Sequence, residues 1–197
     1  MVSANFLEFT GVVFMFGRIQ SIDNKVLESI GKLHKPTLNR IMITASRAGN
    51  FGIIWWIICL IFISYPRWRT TGFNMVLGLS IAHISGEMIL KHIVKRVRPC
   101  HKLDDDEQLI NRPRFYSFPS GHTTASFSVV GVAILRCGLI SFLPILVIAM
   151  LIGFSRLYLR VHYLTDVVVG MLLGFVCGVS SVLLFNAVIP VIFPNLI

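Results

Sequence analysis

Residues 142–166 read FLPILVIAMLIGFSRLYLRVHYLTD, and this stretch decides the fold. From Phe142 to Phe154 no side chain carries a charge; Ser155, Arg156, Arg160, His162 and Asp166 then follow within twelve residues. Residues 164–192 are again almost wholly apolar. A long apolar run, a short polar hinge and a second long apolar run describe a chain that crosses a bilayer, presents polar groups at its surface and crosses back. Each crossing needs about 20 apolar residues as a helix, because only a helix satisfies its own backbone in lipid. Pro144 is expected in the first turn of the 142–160 helix, where a missing amide proton costs little.

Working outward, the same pattern recurs at roughly 49–65, 72–90 and 121–140. Hydrophobic residues make up 55% of the 197-residue chain and charged ones 14%, which is lipid-phase rather than soluble composition. The expected fold is all-α, a polytopic membrane helical bundle of five to six spans with interfacial helices. The 49–65 span is the shortest of the five and is expected to tilt or to thin the bilayer locally. Tyr65 to Gly72 mixes Pro66, Arg67, Trp68 and Arg69, as a tight loop at headgroup level should. Residues 1–197 are expected to form one membrane-embedded domain, with 1–48 an N-terminal interfacial or short-span segment and 49–192 the helical core. Residues 20–47 read as one or two amphipathic interfacial helices. Residues 4–17 are apolar but short, and are read as an interfacial helix in preference to a sixth span or a re-entrant piece. No removable signal peptide is expected, because no basic region leads into an apolar core and a small-residue cleavage site.

The net charge of +9 points to an anionic partner. Its Lys and Arg lie between apolar runs, so nucleic acid is not expected, and lipid headgroups or a phosphorylated substrate are. Cys59, Cys137 and Cys177 fall inside apolar runs, which leaves Cys100 alone in polar sequence and excludes a disulfide framework. The Asp104-Asp105-Asp106-Glu107 cluster is read as a solvated loop surface, since adjacent acids alone do not define metal-ligand geometry.

Following the crossings brings three polar segments to one face: Lys91 to Pro99 after the 72–90 span, Pro119 to His122 before the 121–140 span, and Ser155 to Asp166 between the last two. Convergence at one face is what a site requires. Asp166 follows His162 by four residues, so its carboxylate could hold one imidazole nitrogen protonated while the other attacks phosphorus; the same spacing also suits a purely helix-stabilising contact. Arg156 could hold a phosphate beside His162. Ser120 can cap the next helix and Gly121 permits close approach, which would leave first-turn amides pointed at an anion. His122 could protonate the leaving oxygen. Lys91 and Arg98 could balance charge on the transferring group, while Lys95, Arg96, Lys102, Arg112 and Arg114 read equally as a basic collar on membrane phospholipids. His83 and Glu87 precede Lys91 by eight and four residues on one helix face; Glu87 is expected to pair with Lys91 and set its position, or only to tie helices together.

These three segments, in order, resemble the signature of the type 2 phosphatidic acid phosphatase superfamily: Lys-x6-Arg-Pro at Lys91 to Pro99, Pro-Ser-Gly-His at Pro119 to His122, and Ser-Arg-x5-His-x3-Asp at Ser155 to Asp166. The resemblance extends from about residue 49 to 190 and leaves the first 20 residues uncovered. It implies that His162 forms a phosphohistidine, that Asp166 orients it, that His122 is the acid, and that Lys91, Arg98, Ser120, Gly121 and Arg156 bind phosphate. It also implies a reaction without metal or other cofactor.

A basic residue at Arg160, where relatives commonly have a small one, could join Arg112 and Arg114 on a second phosphate or headgroup, or could snorkel. The implied substrate is an amphiphilic lipid phosphate. A polyprenyl diphosphate such as undecaprenyl diphosphate is preferred; the alternatives are phosphatidylglycerol phosphate, phosphatidic acid and a lipid A phosphate. Phosphate transfer between lipids and a non-enzymatic lipid-binding role are the rival functions. Counting Lys and Arg places the site face in the cytoplasm. The resemblance places it on the periplasmic or exterior side of a bacterial membrane, and that orientation is the one expected here.

Overall fold

The computed structural model describes the backbone of residues 2–104 and 108–192, and side chains within 17–104 and 108–188. Asp105, Asp106 and Glu107 of the acidic cluster lie outside the described residues. Helices make up almost all of the rest, and no strand occurs among the described residues.

Helix α1 runs from Val2–Gly31, so residues 4–17 are continuous with residues 20–31 in one helix. Helix α2, Pro36–Ala48, opens with a proline at its first position, where no amide bond is lost. It is followed by α3, Ile53–Ser64. Between them Asn50–Gly52 breaks the helix, with Phe51 at φ 53° and Gly52 at φ 68°, and the α2–α3 pair is bent by 54°. The apolar run expected at about 49–65 thus holds α3, which begins at Ile53 after the break. At about 1.5 Å per residue α3 alone falls well short of a bilayer, and α2 and α3 taken together have the length and hydropathy of one span.

Helix α4, Arg69–Ala82, continues through a π-helical stretch, His83–Leu90, into α5, Lys91–Val94. Wide turns of this kind interrupt the usual register and are frequent at functional sites. Helix α6 is Gly121–Arg136, shorter than expected. Helix α7, Leu139–Tyr158, starts three residues earlier than the 142 expected, which places Pro144 in its second turn rather than its first. Helix α8 is Leu164–Ile192. By length and hydropathy Pro66–Lys102, α7 and α8 qualify as candidate membrane spans among the described residues, and the bent α2–α3 pair passes the same test only when its two helices are taken together. The chain is an integral membrane protein.

Helix α6 sits at the centre, against α8, α7 and α4. It is rich in buried hydroxyls, Thr123, Thr124, Ser126 and Ser128, and needs no lipid-facing stripe. Trp55 of α3 is fully buried and donates its indole N–H to Ser126 Oγ at 3.0 Å. Against α8 the backbones nearly touch: a Cβ on Gly174 would overlap Thr124 O, and one on Gly178 would overlap Ser128 O. Gly170, Gly174 and Gly178 recur every four residues, the small-residue stripe by which membrane helices approach closely. This contact fixes the start of α6 beside the start of α8, where Ser120 N–H donates to Asp166 O at 3.0 Å.

Candidate active site

Each functional side chain comes from a helix end at one face. Helix α7 stops at Tyr158, and the chain turns through Arg160 at φ 53°. His162 therefore lies in the short connection before α8, not within a helix as its spacing to Asp166 suggested. Its ring is buried, 1% exposed. Arg98 Nη1 stands 2.8 Å from His162 Nε2. A guanidinium can only donate, so Nε2 is the acceptor and the neutral ring carries its proton on Nδ1. Burial, followed by the charges of Arg98, Arg156 and Lys91, pushes the His162 imidazole well below its ordinary value. The lone pair on Nε2 is then available at neutral pH.

The expected orienting contact is longer than a hydrogen bond. Asp166 Oδ2 lies 3.7 Å from His162 Nδ1, which has no hydrogen-bond partner in this geometry. Asp166 Oδ2 instead accepts Tyr163 N–H at 2.9 Å, closing the first turn of α8, while Oδ1 accepts Arg96 Nη1 at 2.7 Å.

Arg98 is buried and crosslinks the loop, donating Nε–H to Phe115 O at 2.5 Å and Nη1–H to Val161 O at 3.0 Å. Arg156, also buried, donates from Nη1 to Ser46 Oγ of α2. Lys91 is buried and paired with Glu87 at 2.6 and 2.7 Å, as the four-residue spacing suggested. Ser120 occupies the N-cap of α6, but its hydroxyl pairs with Thr123 Oγ1 at 2.8 Å and caps no amide, a correction to the expected side-chain cap. Gly121 permits a close approach, yet the group lying against it here is Glu87, whose Oε1 a Cβ at Gly121 would overlap. His122 Nε2 lies 3.0 Å from Asn50 Oδ1, in the break between α2 and α3. That ring is within electrostatic reach of His162, Arg156, Arg98 and Lys91.

The remaining sequence-predicted residues are dispersed. His83 lines a cavity of about 350 Å³ with Glu87, Met88, Lys91, His92 and Phe115, open at the side of the π-helical stretch. The Arg160 guanidinium packs against Gly31 at the end of α1, Arg112 Nη2 donates to Leu103 O at 2.8 Å, and Arg114 is exposed. Cys100 is fully buried despite its polar surroundings in sequence.

Four partners escaped the sequence reading: Ser46, Asn50, Asp23 and Arg96. The first three lie in the first 50 residues, where no motif marks them. Arg96 falls inside the first signature segment and was read only as part of a basic collar. A buried histidine whose Nε2 faces Arg98, ringed by Lys91, Arg98 and Arg156 and backed by a carboxylate, gathers the basic groups that suit a phosphate at a membrane surface.

Comparison with known proteins gives the family. The profile of the PAP2 superfamily matches residues 70–190. Phosphatidylglycerophosphatase B of Bacillus subtilis (strain 168) is 31% identical over 170 residues, 79% of this chain and 79% of that protein. Undecaprenyl-diphosphatase of Sulfolobus acidocaldarius is 29% identical over 138 residues, 70% of this chain and 66% of that protein. Among solved structures, the PAP2-type phosphatidylglycerolphosphate phosphatase of Bacillus subtilis superposes with a TM-score of 0.71 at 25% identity, covering 93% of this chain and 94% of that one. Aquifex aeolicus LpxE superposes with a TM-score of 0.70 at 25% identity, covering 80% and 93%. Fold and site define a helical membrane phosphatase. The chain belongs to the PAP2 superfamily.

Proposed function

We propose that this protein hydrolyses a lipid phosphate in two steps through a phosphohistidine on His162. The observation that carries the reading is the 2.8 Å approach of Arg98 to His162 Nε2, which fixes the lone pair on the attacking nitrogen. In the first step Nε2 bonds to phosphorus and the bond from phosphorus to the leaving oxygen breaks, with His122 supplying that oxygen's proton. In the second step water attacks the phosphohistidine, the P–N bond breaks, His122 takes the proton from water and inorganic phosphate leaves. Arg98, Arg156 and Lys91 balance the charge on the equatorial oxygens throughout. Arg98 turns from the imidazole to the phosphate when substrate arrives.

The preferred substrate is a polyprenyl diphosphate. The exposed Lys102, Arg112 and Arg114 of the loop after Arg98 support this reading, as does likeness to the Sulfolobus undecaprenyl-diphosphatase. A second reading, phosphatidylglycerol phosphate, is favoured by the longer match to the Bacillus relative. Initial rates on undecaprenyl diphosphate, phosphatidylglycerol phosphate, phosphatidic acid and a lipid A phosphate, measured side by side with chelator present, decide between them. A higher kcat/KM for phosphatidylglycerol phosphate overturns the first choice. Phosphate on an acceptor lipid in place of free phosphate overturns hydrolysis.

The site is assigned to the exterior face of a bacterial cytoplasmic membrane. Cys100 is too buried to report on this, so an impermeant thiol reagent is applied to intact cells carrying Arg114→Cys. Labelling only after the membranes are opened reverses the assignment.

A further inference from the structure

Asp23 sits in α1, outside the residues matched by the superfamily profile, and is completely buried. Its Oδ1 accepts Thr165 N–H at 3.0 Å, in the first turn of α8. Its Oδ2 accepts the Thr165 hydroxyl at 2.6 Å and Arg96 Nη2 at 2.6 Å. The other arm of the same guanidinium, Nη1, binds Thr165 Oγ1 and Asp166 Oδ1, each at 2.7 Å. Gln20, one turn before Asp23, accepts Arg96 Nη2 at 2.7 Å, and the guanidinium lies 3.9 Å over the Tyr163 ring. One arginine is thus divided between two buried carboxylates, and one of these is the carboxylate beside His162.

We propose that Asp23 is a positioning residue for the His162–Asp166 pair, acting through Arg96. When phosphorus bonds to Nε2 the imidazole becomes cationic, and its Nδ1–H needs an acceptor. Asp166 Oδ2, at 3.7 Å, must close to about 2.7–3.0 Å to provide one, and it pivots about Oδ1, which Arg96 holds. Asp23 occupies one arm of the arginine fork, so that only the other arm reaches Asp166. Without Asp23 the guanidinium is free to take both oxygens of Asp166, the bidentate arrangement that arginine and carboxylate prefer, and Oδ2 is drawn off His162. Asp23 also offsets the charge of Arg96, which otherwise opposes the cationic phosphoimidazole. The phosphate-binding side chains Lys91, Arg98 and Arg156 make no contact with Asp23, so ground-state binding is left alone.

This rests on the proposed histidine mechanism and is tested on the full-length protein in detergent with phosphatidic acid in mixed micelles. Asp23→Asn keeps an acceptor for Thr165 N–H and removes the carboxylate that Arg96 shares. The expected result is a fall in kcat of about ten- to a hundred-fold, the scale of one charge-assisted hydrogen bond, with KM and the inhibition constant of inorganic phosphate within about twofold. An unchanged kcat in folded protein overturns the proposal. So does a parallel loss of kcat and phosphate affinity, which would make Asp23 only an anchor for α1. If Asp23→Asn does not fold, Thr165→Val, which deletes the hydroxyl bridging Asp23 and Arg96, is read by the same criteria. Absence of turnover in the unmodified protein on undecaprenyl diphosphate, phosphatidylglycerol phosphate and phosphatidic acid alike would instead remove the proposed hydrolysis itself, so the two failures are distinguishable.

Discussion

Arg98 Nη1 and His162 Nε2 stand 2.8 Å apart, which makes Nε2 the acceptor and, in the proposed mechanism, the nitrogen that attacks phosphorus. Arg98 is held for the task by the carbonyls of Phe115 and Val161. A lysine has one point of charge and cannot serve both carbonyls and the phosphate. Arg98→Ala is therefore expected to lower kcat/KM by about 10²–10³-fold, as loss of a preorganised transition-state donor does, and Arg98→Lys to recover only a small part of it. Steady-state kinetics on purified protein check this; full activity in Arg98→Lys would show that charge alone suffices.

The depressed imidazole of His162 gives a pH dependence with a definite sign. Burial, then Arg98, Arg156 and Lys91, keep the folded ring neutral below its ordinary titration range. In the unfolded chain the ring binds its proton near pH 6.5. Between that pH and the lower folded value, the unfolded state holds more protons, so stability falls as pH falls and levels off below the folded value. The acid limb of kcat/KM is expected below pH 6.5, and the acid loss of thermal stability is expected to shrink in His162→Gln. A kcat/KM limb at or above pH 6.5 would contradict the neutral nucleophile.

His122 and its partner Asn50 should act on the leaving group. His122→Ala is expected to cost about 10²–10⁴-fold on a lipid alkoxide and far less on an aryl phosphate, whose leaving oxygen tolerates charge. Asn50→Ala removes the amide 3.0 Å from His122 Nε2 and should show the same contrast at smaller amplitude. Equal losses on alkyl and aryl substrates would leave the acid role without support.

Glu87 and Gly121 form a single fitted unit, since a Cβ at Gly121 would overlap the carboxylate that holds Lys91. The obstructing atom is the end of a flexible side chain, so Gly121→Ala should fold normally. It should lower kcat/KM by about tenfold through displacement of Glu87 and Lys91, the scale of a lost hydrogen bond to a charged group. Glu87→Gln, which keeps the shape and loses the charge, should reduce activity less. Unaltered yield and rate in Glu87→Gln would remove the pairing with Lys91 as a functional contact.

The helical membrane bundle was legible because lipid imposes one demand, long apolar runs, that composition alone reveals. The catalytic face was legible because following the spans delivers Lys91, His122 and His162 to the same side. Helix breaks were not. Asn50–Gly52 lies where the amphipathic 20–47 segment meets the apolar 49–65 run, and only the left-handed Phe51 and Gly52 betray the bend in the structure. The α6–α8 contact was not legible either, because the repeat of Gly170, Gly174 and Gly178 that marks it names no partner helix. Asp23 was illegible because it looks like one more polar residue of an amphipathic helix; its burial against Arg96 and Thr165 depends on pairings across more than 70 residues of chain.

The central claim is that His162 carries the phosphoryl group. Rapid-quench turnover with a lipid substrate labelled in the transferred phosphate measures it directly. The account predicts label on the protein that is stable to alkali and labile to acid, absent from His162→Ala and formed in His122→Ala with an aryl phosphate. An acid-labile, alkali-stable label that persists in His162→Ala would contradict it.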